Sequence, residues 1–371
     1  MDPVQRLLDL ERFGIKLGLD PIHRLTAALG HPERAWPSVH IAGTNGKGSV
    51  AAMIDAALRA AGHTTGRYTS PHLDRLEERF AINDVPVETA ALARATADVL
   101  ATIERLLEDG GLEAWPSFFE ATTAIAFLLF TRAAIDVGVI EVGLGGRFDA
   151  TTVLQPSVTA ITSIDLDHER HLGATRAQIA FEKAGIAKPG VPLVVGPCDA
   201  EAAGVIADAA SAVNAPVIEA MAGVRCEVSY DHGRATLALT TPTRAYPPIT
   251  LGLAGRHQVA NAVVAVRALE CLADAAPLPL PPAAIVEGLS GVRWPARLEW
   301  IALPGGRRVL LDAAHNPAGA AALAAYLDDA GIGAIPIVMA VMEDKDAAGI
   351  IRPLAGHARP LVATEAPTPR T

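Results

Sequence analysis

Residues 40–50 read HIAGTNGKGSV, and their types and spacing suit one chemistry, the holding of phosphate. Gly43, Gly46 and Gly48 surround Lys47, and Ser49 follows at once. A glycine-rich loop leaves its backbone N–H groups free to point at phosphate oxygens, and the N-terminus of a following helix adds positive potential. Lys47 supplies a point charge, and the Ser49 hydroxyl can reach a magnesium ion. Gly43, Thr44, Asn45, Gly46, Lys47, Gly48 and Ser49 are therefore the candidate phosphate ligands. The loop departs from the strict G-x-x-x-x-G-K-[ST] spacing, because Gly48 separates Lys47 from Ser49 and position 41 is Ile.

Other groups able to do chemistry lie downstream. Glu141 sits near the end of a hydrophobic run and is followed by Gly143, Gly145 and Gly146. A carboxylate at the C-terminal end of a parallel strand faces the ligand crevice and can hold magnesium, or it is simply a solvated acid. His168 follows the next apolar run in Asp165-Leu166-Asp167-His168, although imidazole is an unusual ligand for an ion that prefers oxygen. Thr175 and Gln178 form a capping box, and Lys183 falls near the end of the helix they open, where a lysine also suits the helix dipole. Asp312 to Pro317 reads DAAHNP at a strand-to-helix turn, placing Asp312 and His315 where they can face a cleft; an Asx-type helix cap is the plainer reading, and both can hold. The chain shows no Ser-His-Asp spacing, nucleophile elbow or metal-type pair of Cys or His.

These residues need elements to position them. A short apolar strand (Val39 to Ala42) enters the loop, and a helix leaves it with apolar residues at Val50, Met53, Ile54, Ala57, Leu58 and Ala61 before Gly62. Runs at 134–142, 158–164 and 191–196 alternate with helical segments, which predicts a parallel sheet buried on both faces. Alternation over 226–230 and 235–240, around Asp231-His232-Gly233, predicts a small antiparallel hairpin sheet. Helical periodicity returns over 258–273, and a proline-rich stretch (277–282) precedes strand candidates at 309–312, 335–341 and 361–364. The fold class is α/β: a P-loop parallel-sheet domain with a small antiparallel sheet, then a second, Rossmann-like α/β domain. That second unit is short for a doubly wound domain and is read as C-terminally truncated.

Of 371 residues, half are apolar and 19% charged, as in a soluble globular protein. A net charge of −10 argues against general nucleic-acid binding, which needs basic excess, but allows a polyanionic small substrate where positive groups are local. Cys198, Cys226 and Cys271 are far apart and fit thiols in a reducing compartment. The N-terminus lacks signal-peptide architecture, and the longest apolar run, 124–130, is too short to span a bilayer, so the expected location is cytoplasmic. Composition and pattern alone point to a magnesium-nucleotide enzyme of two α/β domains.

The sequence further resembles the folylpolyglutamate synthase and dihydrofolate synthase family, within the Mur ligases. The likeness runs through HIAGTNGKGSV, Thr69-Ser70-Pro71-His72-Leu73, Ser117-Phe118-Phe119-Glu120 and EVGLGGRFDAT at 141–151. It continues through Asp167-His168, EKAG at 182–185, Gly255-Arg256-His257-Gln258 with Asn261, WPARLE at 294–299, DAAHNP at 312–317 and Asp344-Lys345-Asp346. It implies an ATP-dependent ligase that adds L-glutamate to tetrahydrofolates, to dihydropteroate, or to both, through an acyl phosphate. The implied domains are an ATP-binding domain (1–288), a linker (289–296) and a C-terminal glutamate-ligase domain (297–371). Gly43 to Ser49 would hold the ATP phosphates, joined by Asn261, Arg297 and Asp312 on the nucleotide. Ser49, Ser70, Glu141 and His168 would position magnesium. Lys183 matches a lysine carbamylated in the family, whose product would bind a second magnesium; a monovalent cation completes the implied cofactors.

Lys47, Lys183 and His315 are the catalytic candidates that follow from the likeness, with Lys345 facing the same cleft. Ser117, Phe118, Phe119, Glu120, Phe148, Asp149 and Ala150 would line the pterin site. The implied protein works as a monomer on small molecules, without nucleic acid or membrane. Ala296 and Ala313 stand where the family usually has glycine, and Thr152 where it usually has Asn. Two alternatives stay open: a Mur-type cell-wall amino-acid ligase, and a non-catalytic ATP- and folate-binding fragment.

Overall fold

The computed structural model describes residues 2–14 and 18–365. Its central element is an eight-stranded sheet made of β1 (Ser38–Ala42), β2 (Thr65–Tyr68), β3 (Phe80–Ile82), β4 (Val85–Pro86), β5 (Val137–Glu141), β6 (Val158–Ile161), β7 (Leu193–Val195) and β8 (Val217–Glu219). The spatial order is β4-β3-β2-β5-β1-β6-β7-β8, parallel from β2 to β8, with β3 and β4 added antiparallel at one edge. The site strands are buried end to end, as their continuous apolar runs require of a sheet covered on both faces. On one face the helix Lys47–Ala60 packs with the helix His257–Ala275 over Val39, Ile41, Val137 and Val139. On the other, the helices Thr89–Glu108 and Phe118–Arg132 bury Phe127, Phe130 and Tyr68.

The hairpin expected around Asp231-His232-Gly233 is present as β9 (Arg225–Asp231) and β10 (Arg234–Thr240), extended by β11 (Ile249–Thr250). Beyond the linker, β12 (Glu299–Ala302) and β13 (Arg308–Leu311) pair antiparallel, and β14 (Ile335–Met339) and β15 (Ala358–Ala363) pair parallel. The helices Pro317–Asp329 and Ala347–Leu354 join over a small core of Ala320, Ala324, Ile350 and Leu354. Trp300, Ile301, Val309 and Leu311 on the first pair, and Val338, Leu361 and Val362 on the second, are exposed.

Several strands are shorter than the apolar runs that announced them. The run from 134 yields a strand only from Val137, because Ala134 adopts a left-handed conformation (φ +48°) that turns the chain out of the preceding helix. Strands β2 to β4 went unread: β2 carries Gly66 and Arg67 in four residues, too short for a legible alternation.

Two backbone positions are exacting. The helix Pro282–Gly291 lies so close to the phosphate helix that a Cβ on Gly288 would fall 2.3 Å from the Ala57 backbone nitrogen. In the linker, Ala296 takes φ +53°, a region that L residues other than glycine enter at a cost. Gly288→Ala should lower stability by about 1–3 kcal/mol by forcing the two helices apart. Ala296→Gly should raise it by about 0.5–1 kcal/mol by relieving the left-handed strain, with both changes read from denaturant midpoints at unchanged slope.

Candidate active site

Three strands deliver their carboxyl ends to one place. β1 runs directly into Gly43, β5 ends on Glu141, paired with Ile41, and β6 leads into Thr162 and Ser163. The glycine loop is fastened to the β6 end: Thr44 N–H donates to the Ser163 carbonyl (2.8 Å), and the Thr162 and Ser163 hydroxyls donate to the Asn45 carbonyl (2.6 and 3.0 Å). Gly43 (φ +149°) and Gly46 (φ +86°) make the turn in regions that favour glycine. A Cβ on either would meet Thr162 Oγ1 at 1.9 Å or Asn261 Oδ1 at 2.4 Å. Gly48 has its own reason: a Cβ there would stand 2.9 Å from Trp294 Nε1, so the linker tryptophan explains the extra glycine between Lys47 and Ser49.

Both candidate lysines converge on this turn. Lys47 Nζ donates to the carbonyls of Gly43 (3.0 Å) and Thr44 (3.3 Å), and Lys183 Nζ reaches the same Gly43 carbonyl at 2.9 Å. Lys183 is buried, at the last turn of the helix Arg176–Ala184 that opens on the expected Thr175/Gln178 box. Burial, then the neighbouring charge of Lys47, brings its pKa down to about 7. A substantial neutral fraction thus exists at physiological pH. Glu141 is also buried; burial raises its pKa against the opposing pull of Lys47, and it accepts from Ser70 N–H at 3.3 Å. Ser49 is buried, with its Oγ accepting from Gln258 Nε2 at 3.3 Å. Gln258 Oε1 in turn accepts from Asn261 Nδ2 at 2.9 Å, which seats Asn261 against Gly46.

The second unit reaches the same cavity through Asp167. Its Oδ1 accepts from His168 N–H (2.8 Å) and Lys345 Nζ (2.5 Å); its Oδ2 accepts from Asn316 Nδ2 (3.1 Å) and lies 3.3 Å from His315 Nε2. Burial alone would raise this carboxyl, but hydrogen bonds from His315 and Lys345, the nearby His168 and the Asn316 amide hold it well below the usual carboxylate range. Asn316 Nδ2 also donates to Asn45 Oδ1 (2.9 Å), joining the second unit to the phosphate loop. Gly43, Thr44, Lys47, Val142 to Gly145, Asp167, His168, Lys183 and His315 line one shared polar cavity. Burial lowers the His168 pKa to about 4, against the raising charge of Asp167, so its ring is neutral and able to act as a ligand near pH 7.

The remaining candidates divide by position. Arg297 donates to the Ala296 carbonyl and, with Trp294, Trp300, Arg308 and Tyr326, lines a cleft of about 700 Å³ between the linker and the second unit. Asp312 spends its carboxylate on Leu298 N–H (3.0 Å) and Ala314 N–H (2.9 Å), which fixes the linker turn beside Arg297. Ser117 and Glu120 serve each other in a capping box, with Glu120 Oε2 accepting from Ser117 N–H and Oγ at 2.7 Å, while Glu120 Oε1 is buried without a partner. Phe118 lies under Arg79, Phe119 packs on Gly143 and Tyr68, and half-exposed Phe148 lies under the Arg147 guanidinium. Asp149 is buried, accepting from Leu144 N–H and from both Thr151 donors, and Ala150 is buried beside it.

Among the described residues, no cluster of three or more His, Cys, Asp or Glu stands ready to hold a metal. The donor chemistry nevertheless fits a nucleotide-bound magnesium, which takes one or two protein oxygens and completes its shell with phosphate and water. Buried Glu141, with its single weak backbone donor, and the Ser49 hydroxyl are oxygen ligands of that kind. Asp167 and Asn316 lie in motifs quoted from the sequence but were given no role of their own there. The pairing of an acid beside His168 with the Asn of DAAHNP was visible as residue types, but only the fold brings positions 167, 316 and 345 together.

Comparison with known proteins follows from this geometry. Residues 41–269 match the family model of the Mur ligase middle domain, and residues 296–371 that of the Mur ligase, glutamate ligase domain. A Bacillus subtilis dihydrofolate synthase/folylpolyglutamate synthase is 36% identical over 347 residues, 92% of this chain and 80% of its own length. A probable bifunctional folylpolyglutamate synthase/dihydropteroate synthase of Haloferax volcanii is 35% identical over 93% of this chain, which spans only 40% of that longer relative. The crystal structure of Mycobacterium tuberculosis folylpolyglutamate synthase complexed with ADP and AMPPCP superposes with a TM-score of 0.88 at 36% identity, covering 100% of this chain and 84% of the other.

The electrostatics of the lysine pair give a direct check. In a side-chain NMR titration Lys183 should change charge near pH 7, whereas surface lysines change near about 10.4. Lys47→Met should move the Lys183 midpoint upward by removing a repelling charge. Between those two pH values the unfolded chain holds a proton that the native site does not, so this group makes stability rise with pH across that window.

Proposed function

The chain belongs to the folylpolyglutamate synthase and dihydrofolate synthase family of Mur ligases, and from that premise we propose that it is an ATP-dependent ligase joining L-glutamate to a folate-type carboxylic acid. The observation that carries the reading is the meeting of Lys47 and Lys183 at the Gly43 carbonyl, where the glycine loop leaves the sheet. Two lysine amines donating to one oxygen mark a site for phosphate, and the loop carbonyl occupies them until phosphate arrives. Phosphoryl transfer asks mainly for such positioning and charge compensation.

In the proposed reaction the substrate carboxylate attacks the γ-phosphorus, the bond to the β-phosphate oxygen breaks, and ADP departs. The acyl phosphate so formed is electrophilic, because its oxygen now leaves as phosphate. The glutamate amine attacks the carbonyl, loses a proton, and an amide replaces the C–O bond. Gly43 to Ser49 hold the phosphates, and Lys47 offsets the charge gathered between two anions. Asn261, Arg297 and Asp312 hold the nucleoside side, from the helix His257–Ala275, the linker side and the turn after β13. Ser49, Ser70, Glu141 and His168 are the residues that would hold magnesium, which when bound neutralises phosphate charge.

Lys183 suits carbamylation, in which a neutral amine adds carbon dioxide and releases a proton to leave an anionic oxygen ligand for a second cation; its lowered pKa supplies the neutral amine. A monovalent cation completes the proposed set. Phe119 and Phe148 offer ring surface for a pterin, and buried Phe118 backs them from the core. Ser117, Glu120, Asp149 and Ala150 shape that region from behind, through buried contacts of their own. Lys345 presents positive charge from the second unit, with the His315 ring beside it. The free thiols of Cys198, Cys226 and Cys271 fit a reducing cytoplasm, and a monomer suffices, because one chain supplies every named group.

Phosphate release from ATP tests the reading, with magnesium and glutamate and with dihydropteroate or tetrahydrofolate added separately. Turnover should require both glutamate and at least one pterin acid, and Lys47→Ala should reduce it by on the order of 1,000-fold. Turnover that answers instead to a nucleotide-sugar precursor would make the chain a cell-wall ligase. ATP binding without turnover on any acid would make it a binding protein.

A further inference from the structure

We propose that Asp167 is a positioning residue: its carboxylate gathers Lys345 and His315 from the second unit over the phosphate cavity and yields them to the phosphoryl group that enters. The inference rests on the ligase reading above, and it concerns a residue distinct from the groups that touch substrate.

All four lone-pair positions of the carboxylate are in use. Oδ1 serves His168 N–H and Lys345 Nζ, and Oδ2 serves Asn316 Nδ2 and faces His315 Nε2. A carboxylate so filled has no lone pair left for a metal ion, which separates its role from that of Glu141. The Asp167 and Lys345 side chains are 7% and 9% exposed, so the pair is formed away from bulk water, where charge geometry is held closely.

Charge explains the arrangement. A bare carboxylate beside Lys47 and Lys183 would repel a polyphosphate. Paired with the Lys345 ammonium its charge is offset, and the Lys345, Asn316 and His315 side chains gather at the cavity in its place. Phosphoryl oxygens entering the cavity present the same kind of acceptor that Asp167 offers, so Lys345 and His315 can exchange one for the other with little movement. The Asn316–Asn45 hydrogen bond keeps this exchange in register with the loop, since any shift of the second unit pulls on a residue of the phosphate turn.

The test replaces Asp167 by its uncharged isostere. In Asp167→Asn, kcat should fall on the order of 100-fold through misplacement of Lys345 and His315, while the ATP dissociation constant from calorimetry stays within about threefold. Lys345→Met should lower kcat similarly, and the double variant should be no slower than the slower single one, since both changes break one interaction. Amide exchange over residues 342–348, with a non-hydrolysable ATP analogue bound, should be faster in Asp167→Asn than in the parent. Unchanged kcat, ATP affinity falling in step with kcat, multiplying effects in the double variant, or equal exchange would each overturn the proposal. Should Asp167→Asn fail to fold, Lys345→Met carries the same kcat, affinity and exchange comparison. If the parent turns over no pterin acid, the ligase reading fails, and the exchange rates alone decide whether Asp167 holds the second unit in place.

Discussion

Two lysine amines share the carbonyl oxygen of Gly43, and much of the first domain is organised around that encounter. The carbonyl points there only because the chain turns through two glycine conformations at the end of β1, with Thr162 and Asn261 filling the space that side chains would need. The turn is rigid because β6 ties it down through Thr162 and Ser163. Lys183 is delivered from the far side by a helix whose capping box sets its first turn, and by a glycine contact at Gly146 that brings the helix end against the 143–146 loop. Mutual repulsion of the lysines and loss of water together make one of them a proton donor of ordinary biochemical strength, on a chain that is acidic overall.

The parts legible in the sequence are those whose chemistry is local. The phosphate loop announced itself because glycines, lysine and hydroxyl are consecutive, and the flanking strand and helix obey simple periodicities. The Thr175 box, the hairpin around Asp231 and the buried parallel strands were readable for the same reason. Glu141 was placed correctly at a strand end because an acid at the close of an apolar run has few other homes. The short strands β2 to β4, with two to four residues and a charge among them, carried no periodic signal. Asp167 was quoted beside His168 but given no role, because its meaning lies in partners 149 and 178 residues away, and no spacing rule spans such distances.

The linker shows how one residue type can explain another far off. Trp294 stacks under Arg67 on one side and presses against Gly48 on the other. Its position therefore dictates a glycine inside the phosphate loop, and the apparent irregularity of that loop is the imprint of the linker. Arg67 is itself paired with buried Asp55 of the phosphate helix, so linker, loop helix and β2 form one continuous packing unit.

The two halves of the site differ in how deeply they are anchored. Lys47, Lys183 and Glu141 belong to a body with three extensive apolar clusters, whereas His315 and Lys345 ride on a unit with two small ones and exposed strand faces. Local order in proteins is lost first where burial is thinnest. Warming would therefore take the constellation apart before the sheet melts, leaving a nucleotide pocket without the side chains that face it from the second unit. Heat tolerance of such a protein has two meanings, one for its shape and a lower one for its chemistry.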